Sequence, residues 1–286
     1  MKIENIDIEK LKPFEGYPFR VTHDESLDEL AASIALEGVF NPIAVRPLEN
    51  GEFEIISGHR RYEACRMAGV EKIPAIIHSL SRDEATILMV DDNLTRRAEI
   101  LPSEKAYAYK MKMEAMNRKG FRTDLDTSYR VGTRLDSAED IGRNTGDSRM
   151  QVYRYIRLTN LADEILDMVD DKRIAFGPAV ELSYLTEEEQ QNLLETMKSE
   201  DATPSISQAQ RMKRLSEEGK LDMDSIFKIM TEVKGNQVET VKVPVELVQK
   251  HFKRFVSPKE MQDFIAKAVE HYCRYLKNRE RSNDAR

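Results

Sequence analysis

Ile55-Ile56-Ser57-Gly58-His59-Arg60-Arg61-Tyr62-Glu63-Ala64 runs an apolar segment through one glycine into a helix whose first turn carries two arginines. This order of strand, glycine and helix predicts a phosphate site. Glycine permits a tight turn and a close approach of backbone to ligand, and the N–H groups and positive dipole end of the helix favour an anion. Arg60 and Arg61 add fork-shaped, charge-assisted donors that suit phosphate oxygens. The same residues also fit an exposed helix face that merely solvates its arginines, so this stretch by itself leaves both readings open.

On the N-terminal side of the turn, residues 5–11 read as a short strand and residues 27–36 as an amphipathic helix with Ser26 as its cap. A strand at 43–46 follows Pro42, and Asn50-Gly51 predicts a hairpin turn into a strand at 52–56. On the other side, Gly69 closes a helix over 59–68 and residues 73–78 form another strand. Together these elements predict a small mixed α/β domain over residues 1–95.

Beyond it the pattern turns helical. Helices are expected over 82–93 and 103–119, the second opened by Pro102 and Ser103-Glu104, and residues 121–136 read as a surface connection. Residues 136–158 read as a helix, a Thr145-Gly146-Asp147 turn and a second helix capped by Ser148 with apolar positions at Met150, Val152, Tyr153, Ile156 and Leu158. That order predicts a helix-turn-helix. Its second helix is expected to present Arg149, Gln151, Arg154 and Arg157 outward beside the capping Ser148, residue types that contact phosphates and base edges, with an ordinary helical hairpin carrying a basic face as the less favoured alternative. Further helices at 162–169, 178–185, 187–197 and 207–217 complete an all-helical domain over 96–218, followed by an acidic linker at 219–236. The last segment, 237–286, reads as a strand at 238–243 and helices at 245–255 and 259–277. A lone strand with two helices either pairs with its twin in a homodimer or caps the same chain.

The composition bounds what such a chain does. With 286 residues, 33% charged and 40% hydrophobic, it is expected to form two or three soluble, helix-rich domains. A net charge of -7 does not exclude nucleic acid, because arginines gather between 143 and 157 and binding depends on where positive charge collects. No apolar run approaches the roughly 18 residues of a membrane span, and the Met1-Lys2-Ile3-Glu4-Asn5 start lacks a signal-peptide core, so a cytoplasmic location without membrane contact is expected. Cys65 and Cys273 stand far apart without metal-ligand spacing and read as reduced packing residues.

Taken in order, the Ser57 to Ala64 stretch, then Asp92-Asn93-Leu94-Thr95-Arg96, then the helix-turn-helix around Arg149 resemble the ParB family of plasmid and chromosome partition proteins over residues 3–215. The resemblance implies an α+β protein with a ParB-like nucleotide-binding domain, a helix-turn-helix middle domain and a strand-helix-helix dimerisation segment. It implies sequence-specific binding of double-stranded DNA by a homodimer, with CTP and Mg2+ gating a clamp that slides along DNA. A slow CTPase activity, a ParA-like ATPase partner and a nucleoid- or plasmid-associated location follow from the same resemblance. Gly38-Val39-Phe40-Asn41-Pro42 with Val45-Arg46 is similar to the family's first nucleotide segment. On the second and third segments, Gly58, His59, Arg60, Arg61, Asn93 and Arg96 are implied to bind nucleotide, and Asp92 with Asn93 to hold magnesium, an ion that prefers few protein ligands. This chain departs from the family pattern where His59 replaces a glutamate, Glu63 replaces an arginine and Asp92 shortens a glutamate. Tyr17-Pro18-Phe19-Arg20 also lacks a glutamine tied to hydrolysis in the family, so binding is expected to survive where turnover does not.

Two other functions compete. A helix-turn-helix transcriptional regulator without nucleotide gating fits the altered second segment, and a metal-dependent nuclease would use Asp92 and Asn93. Sulfiredoxin-like redox chemistry is disfavoured, because Ser57-Gly58-His59-Arg60 has no cysteine and Cys65 would need a lowered pKa.

Overall fold

Among the described residues of this computed structural model, which are 3–97, 99–123, 137–232, 243–252 and 257–283, five strands form one mixed sheet. They are β1 (Ile3–Asp7), β2 (Leu11–Lys12), β3 (Ile43–Pro47), β4 (Phe53–Ser57) and β5 (Lys72–Ile77), in the order β1-β5-β3-β4-β2. β1 runs antiparallel to β5, β5 parallel to β3, β3 antiparallel to β4 and β4 parallel to β2. The Asn50-Gly51 hairpin joins β3 to β4, with Gly51 at a φ of 79° and Leu48 N–H donating to Glu52 O at 2.8 Å.

Successive side chains of a strand point to opposite faces, and β4 uses both. Ile55 enters a core with Leu27, Ala31 and Ile34 of α1 (Glu25–Glu37) and with Ala64 and Cys65 of α2 (His59–Met67). Ile56 enters a second core with Ala85, Met89 and Val90 of α3 (Arg82–Arg96). The cap of α1 is Asp24 rather than Ser26, since the Asp24 carboxylate accepts the Leu27 N–H at 2.9 Å. Ser81 and Glu84 open α3 with a reciprocal capping box.

α4 (Pro102–Thr123) places Ala108 in the same core as Met89, so the sheet domain and the helical region share packing across residue 96. Helices α5 (Ser137–Thr145) and α6 (Arg149–Arg157) close over Tyr109 of α4 through Ala138, Ile141 and Val152. Then come α7 (Asp163–Asp170), α8 (Phe176–Leu182), α9 (Glu187–Ser199), α10 (Ile206–Glu217) and α11 (Met223–Thr231), packed around Ile165, Leu182, Leu193, Met212 and Ile226.

α11 corrects the linker expected at 219–236. Ile226, Ile229 and Met230 of α11 are buried, and Gln208 Nε2 donates to Ile229 O at 2.7 Å. The acidic residues expected in a solvated linker are a cap and a first turn: Asp222 accepts from Ser225 N–H, and Asp224 lies at the positive end of the helix.

Residue contacts divide the chain into Met1–Glu232 and Val233–Arg286. The second unit contains α12 (Val245–Gln249) and α13 (Pro258–Asn283), where Val248 and Met261 are buried against Phe252 and Ile265. The strand expected at 238–243 lies outside the described residues except for Val243, as does the 253–255 end of the helix expected from 245. No helix among the described residues is long and apolar enough to cross a membrane.

Candidate nucleotide site and nucleic-acid interface

Gly58 sits between β4 and α2 with φ at 105°, a backbone region that L side chains rarely adopt. A Cβ at this position would lie 2.6 Å from Ile43 Cγ2 and 3.1 Å from Ile43 Cβ, so the turn demands glycine. Gly58 holds the N-cap position of α2 and has no side chain with which to cap it. The dipole end of this helix therefore suits an anion.

The two arginines that follow have separate partners. Arg61 donates to the carbonyl of Asn41 at 2.7 Å and to that of Pro42, which fastens the 38–46 segment to α2. Burial, reinforced by nearby Arg96, pulls the Arg61 pKa below its ordinary value, and the guanidinium stays charged all the same. Arg60 reaches Asp24 Oδ1 at 3.1 Å and the Ser26 hydroxyl, at the start of α1.

Ser57 donates its hydroxyl to Asp92 Oδ2, and Asp92 Oδ1 holds Arg96 Nε at 2.7 Å. Asn93 Oδ1 accepts the Tyr17 hydroxyl at 3.0 Å while its Nδ2 donates to Met89 O at 2.8 Å. Segments 38–46, 57–64 and 92–96 thus meet around one turn. Among the described residues, no group of three or more His, Cys, Asp and Glu side chains is placed to hold a metal ion. Asp92 and Asn93, neighbours in sequence on α3, offer a carboxylate and an amide oxygen, ligand types that suit magnesium, an ion that takes most of its shell from water and phosphate oxygens.

His59 occupies the core, 6% exposed, with its ring stacked on Tyr17 at 3.6 Å and 17°. Its Nε2 accepts the Phe14 N–H at 3.3 Å and, among the described residues, its Nδ1 has no hydrogen-bond partner. Burial, with Arg97 adding to it, lowers the imidazole pKa to about 3. His59 is therefore neutral at ordinary pH and brings no positive charge to a phosphate. Tyr17 and Asp24, neither of which the motifs single out as binding residues, are the groups that hold Asn93 and Arg60. Cys65 is fully buried, and burial pushes its thiol up to about 11, away from the thiolate that redox chemistry needs.

In the helical region, a Cβ on Gly142 would collide with the Asp147 carbonyl oxygen, so α5 approaches the turn as closely as backbone allows. The Tyr109 hydroxyl donates to the Asp147 carboxylate and lies 2.8 Å from Thr145 Oγ1, while Lys105 Nζ lies 2.7 Å from the same carboxylate. Burial, and secondarily Asp147, push the Tyr109 phenol well above its ordinary pKa, keeping it a donor. Ser148 caps α6, its hydroxyl accepting the Gln151 N–H at 3.2 Å.

The α6 side chains then differ. Arg149 is exposed at the N-terminal end, 5.8 Å over the Tyr153 ring, and Arg154 is exposed 5.2 Å over Phe176; Gln151 is half-buried. Arg157, expected to point outward, folds back instead: its guanidinium stacks 3.6 Å over Tyr184 and donates to Ser183 O at 3.2 Å. The Arg157 stack and Lys110, Met150, Tyr153 and Arg154 line a groove of about 330 Å³ beside α6.

Family models agree with this division. The ParB N-terminal domain matches residues 1–94 and the ParB HTH domain matches residues 134–216. The chain belongs to the ParB family. The first match contains Gly58, Asp92 and Asn93, and the second contains Ser148 to Arg157. A nucleoid occlusion protein from Listeria monocytogenes serotype 4b is 30% identical to this ParB-family chain over 190 residues, covering 66% of the chain and 60% of that relative. A probable chromosome-partitioning protein ParB from Vibrio cholerae serotype O1 is 27% identical over 252 residues, covering 85% of this chain and 79% of the relative. The chain spans about 60% of the length of the Listeria relatives it matches. Among solved structures, the C-terminally truncated ParB of Caulobacter crescentus complexed to the centromeric parS site aligns at a TM-score of 0.42 and 23% identity, covering 74% of this chain and 98% of that one.

Proposed function

We propose that this ParB-family chain is a sequence-specific DNA-binding partition protein in which CTP with magnesium gates a dimeric clamp on double-stranded DNA. The observation that supports the nucleotide half is the meeting of three distant segments at Gly58: Arg61 reaches the carbonyls of Asn41 and Pro42, and Ser57 reaches Asp92. In this reading the α2 N-terminus and Arg60 receive phosphate oxygens, and Arg96 turns from Asp92 toward the same ligand. The Arg96–Asp92 pair is easily exchanged, since Arg96 is largely exposed and such pairs contribute only about 0–1 kcal/mol. Asp92 and Asn93 would hold magnesium. When bound, that ion neutralises phosphate charge and orients the nucleotide. Hydrolysis, if catalysed, is slow and resets a switch.

DNA binding falls to α6, whose capped N-terminal end carries exposed Arg149. α13 supports a homodimer through the exposed Phe264, Val269, Tyr272 and Tyr275. A ParA-like ATPase partner and a nucleoid- or plasmid-associated location complete the proposal.

One observation favours a second reading, a helix-turn-helix regulator without gating. Arg60 and Arg61 already have protein partners, Asp24 and two backbone carbonyls, for which an anion must compete. DNA topology separates the two. A gated clamp accumulates on closed DNA carrying its site only when CTP is present, whereas the regulator occupies linear and closed operators alike with or without nucleotide.

A further inference from the structure

We propose that Tyr17 is a positioning residue that sets the Asn93 amide for a magnesium-bound nucleotide, using the buried His59 ring as its stacking platform. The inference rests on the nucleotide reading above and deepens it.

The ring of Tyr17 is held by two neighbours. His59 stacks on it at 3.6 Å, and Phe19 meets it nearly edge-on at 5.6 Å and 62°. His59 is itself fixed, because its Nε2 accepts the Phe14 N–H; the ring proton of the neutral imidazole then sits on Nδ1. A charged imidazolium could not accept that bond, so burial of the ring and the bond to Phe14 support one another.

From this platform the Tyr17 hydroxyl donates to Asn93 Oδ1 at 3.0 Å, with the Arg97 guanidinium also beside the phenol oxygen. Met89 O takes the other end of the amide at 2.8 Å, which assigns its orientation: nitrogen toward α3, oxygen toward Tyr17. An amide oxygen carries two lone pairs, and Tyr17 occupies one of them. In this proposal the other takes the magnesium ion, in a direction that the phenol decides. Asn93 adjoins Asp92, which faces Ser57 at the Gly58 turn. The hydroxyl at position 17 therefore governs an oxygen implied in magnesium binding without itself belonging to the phosphate-binding turn.

Titration calorimetry of the full chain with CTP, in EDTA and across a magnesium series, tests this. Tyr17→Phe keeps the aromatic stack and removes only the hydroxyl. Its circular dichroism and its CTP affinity in EDTA are expected to match the wild type, while the magnesium concentration giving half-maximal enhancement of CTP binding rises about fivefold, or ~1 kcal/mol. Asn93→Ala is expected to shift that midpoint at least as far, and Tyr17→Phe combined with Asn93→Ala no further than Asn93→Ala alone. An unchanged magnesium midpoint in Tyr17→Phe, or additive shifts in the double variant, overturns the positioning role while leaving CTP binding intact. A wild-type chain that gives no heat with CTP and magnesium removes the nucleotide reading, and the positioning role with it.

Discussion

Ser103 gives both its backbone N–H, at 2.9 Å, and its hydroxyl to the carboxylate of Asp170, so the last residue of α7 caps the first turn of α4. Asp170 is 8% exposed, and a carboxylate at a helix N-terminus gains from both the charge-assisted bonds and the dipole. Arg20 joins the cluster from the N-terminal domain, 2.9 Å from Asp167 and 3.5 Å from Asp170, while Glu104 accepts the Arg20 N–H at 2.7 Å. The cluster ties the N-terminal domain, α4 and α7 together.

Asp170→Ala is expected to destabilise the chain by about 3 kcal/mol, since it strands a buried N–H and hydroxyl at the start of α4. Arg20→Ala removes a largely exposed ion pair and is expected to cost less than about 1 kcal/mol. Urea unfolding of both variants checks the order. Equal losses would place the main contribution in the ion pairs rather than in the cap.

Two glycines with positive φ separate backbone strain from crowding. Gly51 has a φ of 79° and open space where a methyl group would stand, with nothing within 4 Å, so Gly51→Ala is expected to cost about 1 kcal/mol. Gly58→Ala adds the collision with Ile43 and is expected to cost about 3 kcal/mol. Thermal unfolding distinguishes them, and a Gly58→Ala chain as stable as Gly51→Ala would show that β3 yields easily to the new methyl.

His59 makes stability depend on pH with a defined sign. Its folded pKa, about 3, lies below the unfolded value of about 6.5, so the unfolded chain binds the extra proton first as pH falls. The contribution is complete above about pH 6.5 and is lost progressively toward pH 3, with about 2 kcal/mol lost between pH 7 and pH 5. His59→Phe keeps a ring for Tyr17 and cannot titrate. Urea unfolding at the two pH values is expected to show that extra loss in the wild type alone, and parallel losses in both proteins would mean that the imidazole protonates in the folded state.

Much of this architecture is legible in the sequence because local rules and tertiary packing agree. Ile55 and Ile56 announce a strand buried on both faces, Gly58 a backbone that other residues rarely adopt, and Gly146 with Ser148 a turn and a helix start. The α11 region misleads because Asp222 and Asp224 weigh as charge in a window, although Ile226, Ile229 and Met230 carry helical spacing. Contacts at long separation leave no local trace: Tyr17 meets Asn93 across 76 residues, and Arg60 finds Asp24 across 36. Arg157 likewise lies among basic α6 residues by sequence, and only the packing of Tyr184 turns it inward.

Arg149 and Arg157 should therefore fail in different ways. Arg149 is exposed at the N-terminal end of α6, where a side chain in the major groove reads base edges, so Arg149→Ala is expected to leave thermal unfolding unchanged and lose discrimination between cognate and unrelated duplexes. The loss is about 1–3 kcal/mol if the side chain makes a bidentate contact to guanine. Arg157 has its guanidinium on Tyr184, an Nη2 bond to Ser183 O and a buried Nε, so Arg157→Ala is expected to lower stability by about 1–2 kcal/mol through lost stacking and an unpaired carbonyl. Its effect on binding should then be the same on every duplex and shrink when both proteins are measured well below their melting temperatures. Fluorescence anisotropy with cognate and scrambled duplexes at several salt concentrations, beside thermal unfolding, resolves the two. A salt slope reduced by about one unit in Arg157→Ala would instead mean that this arginine leaves Tyr184 for a DNA phosphate.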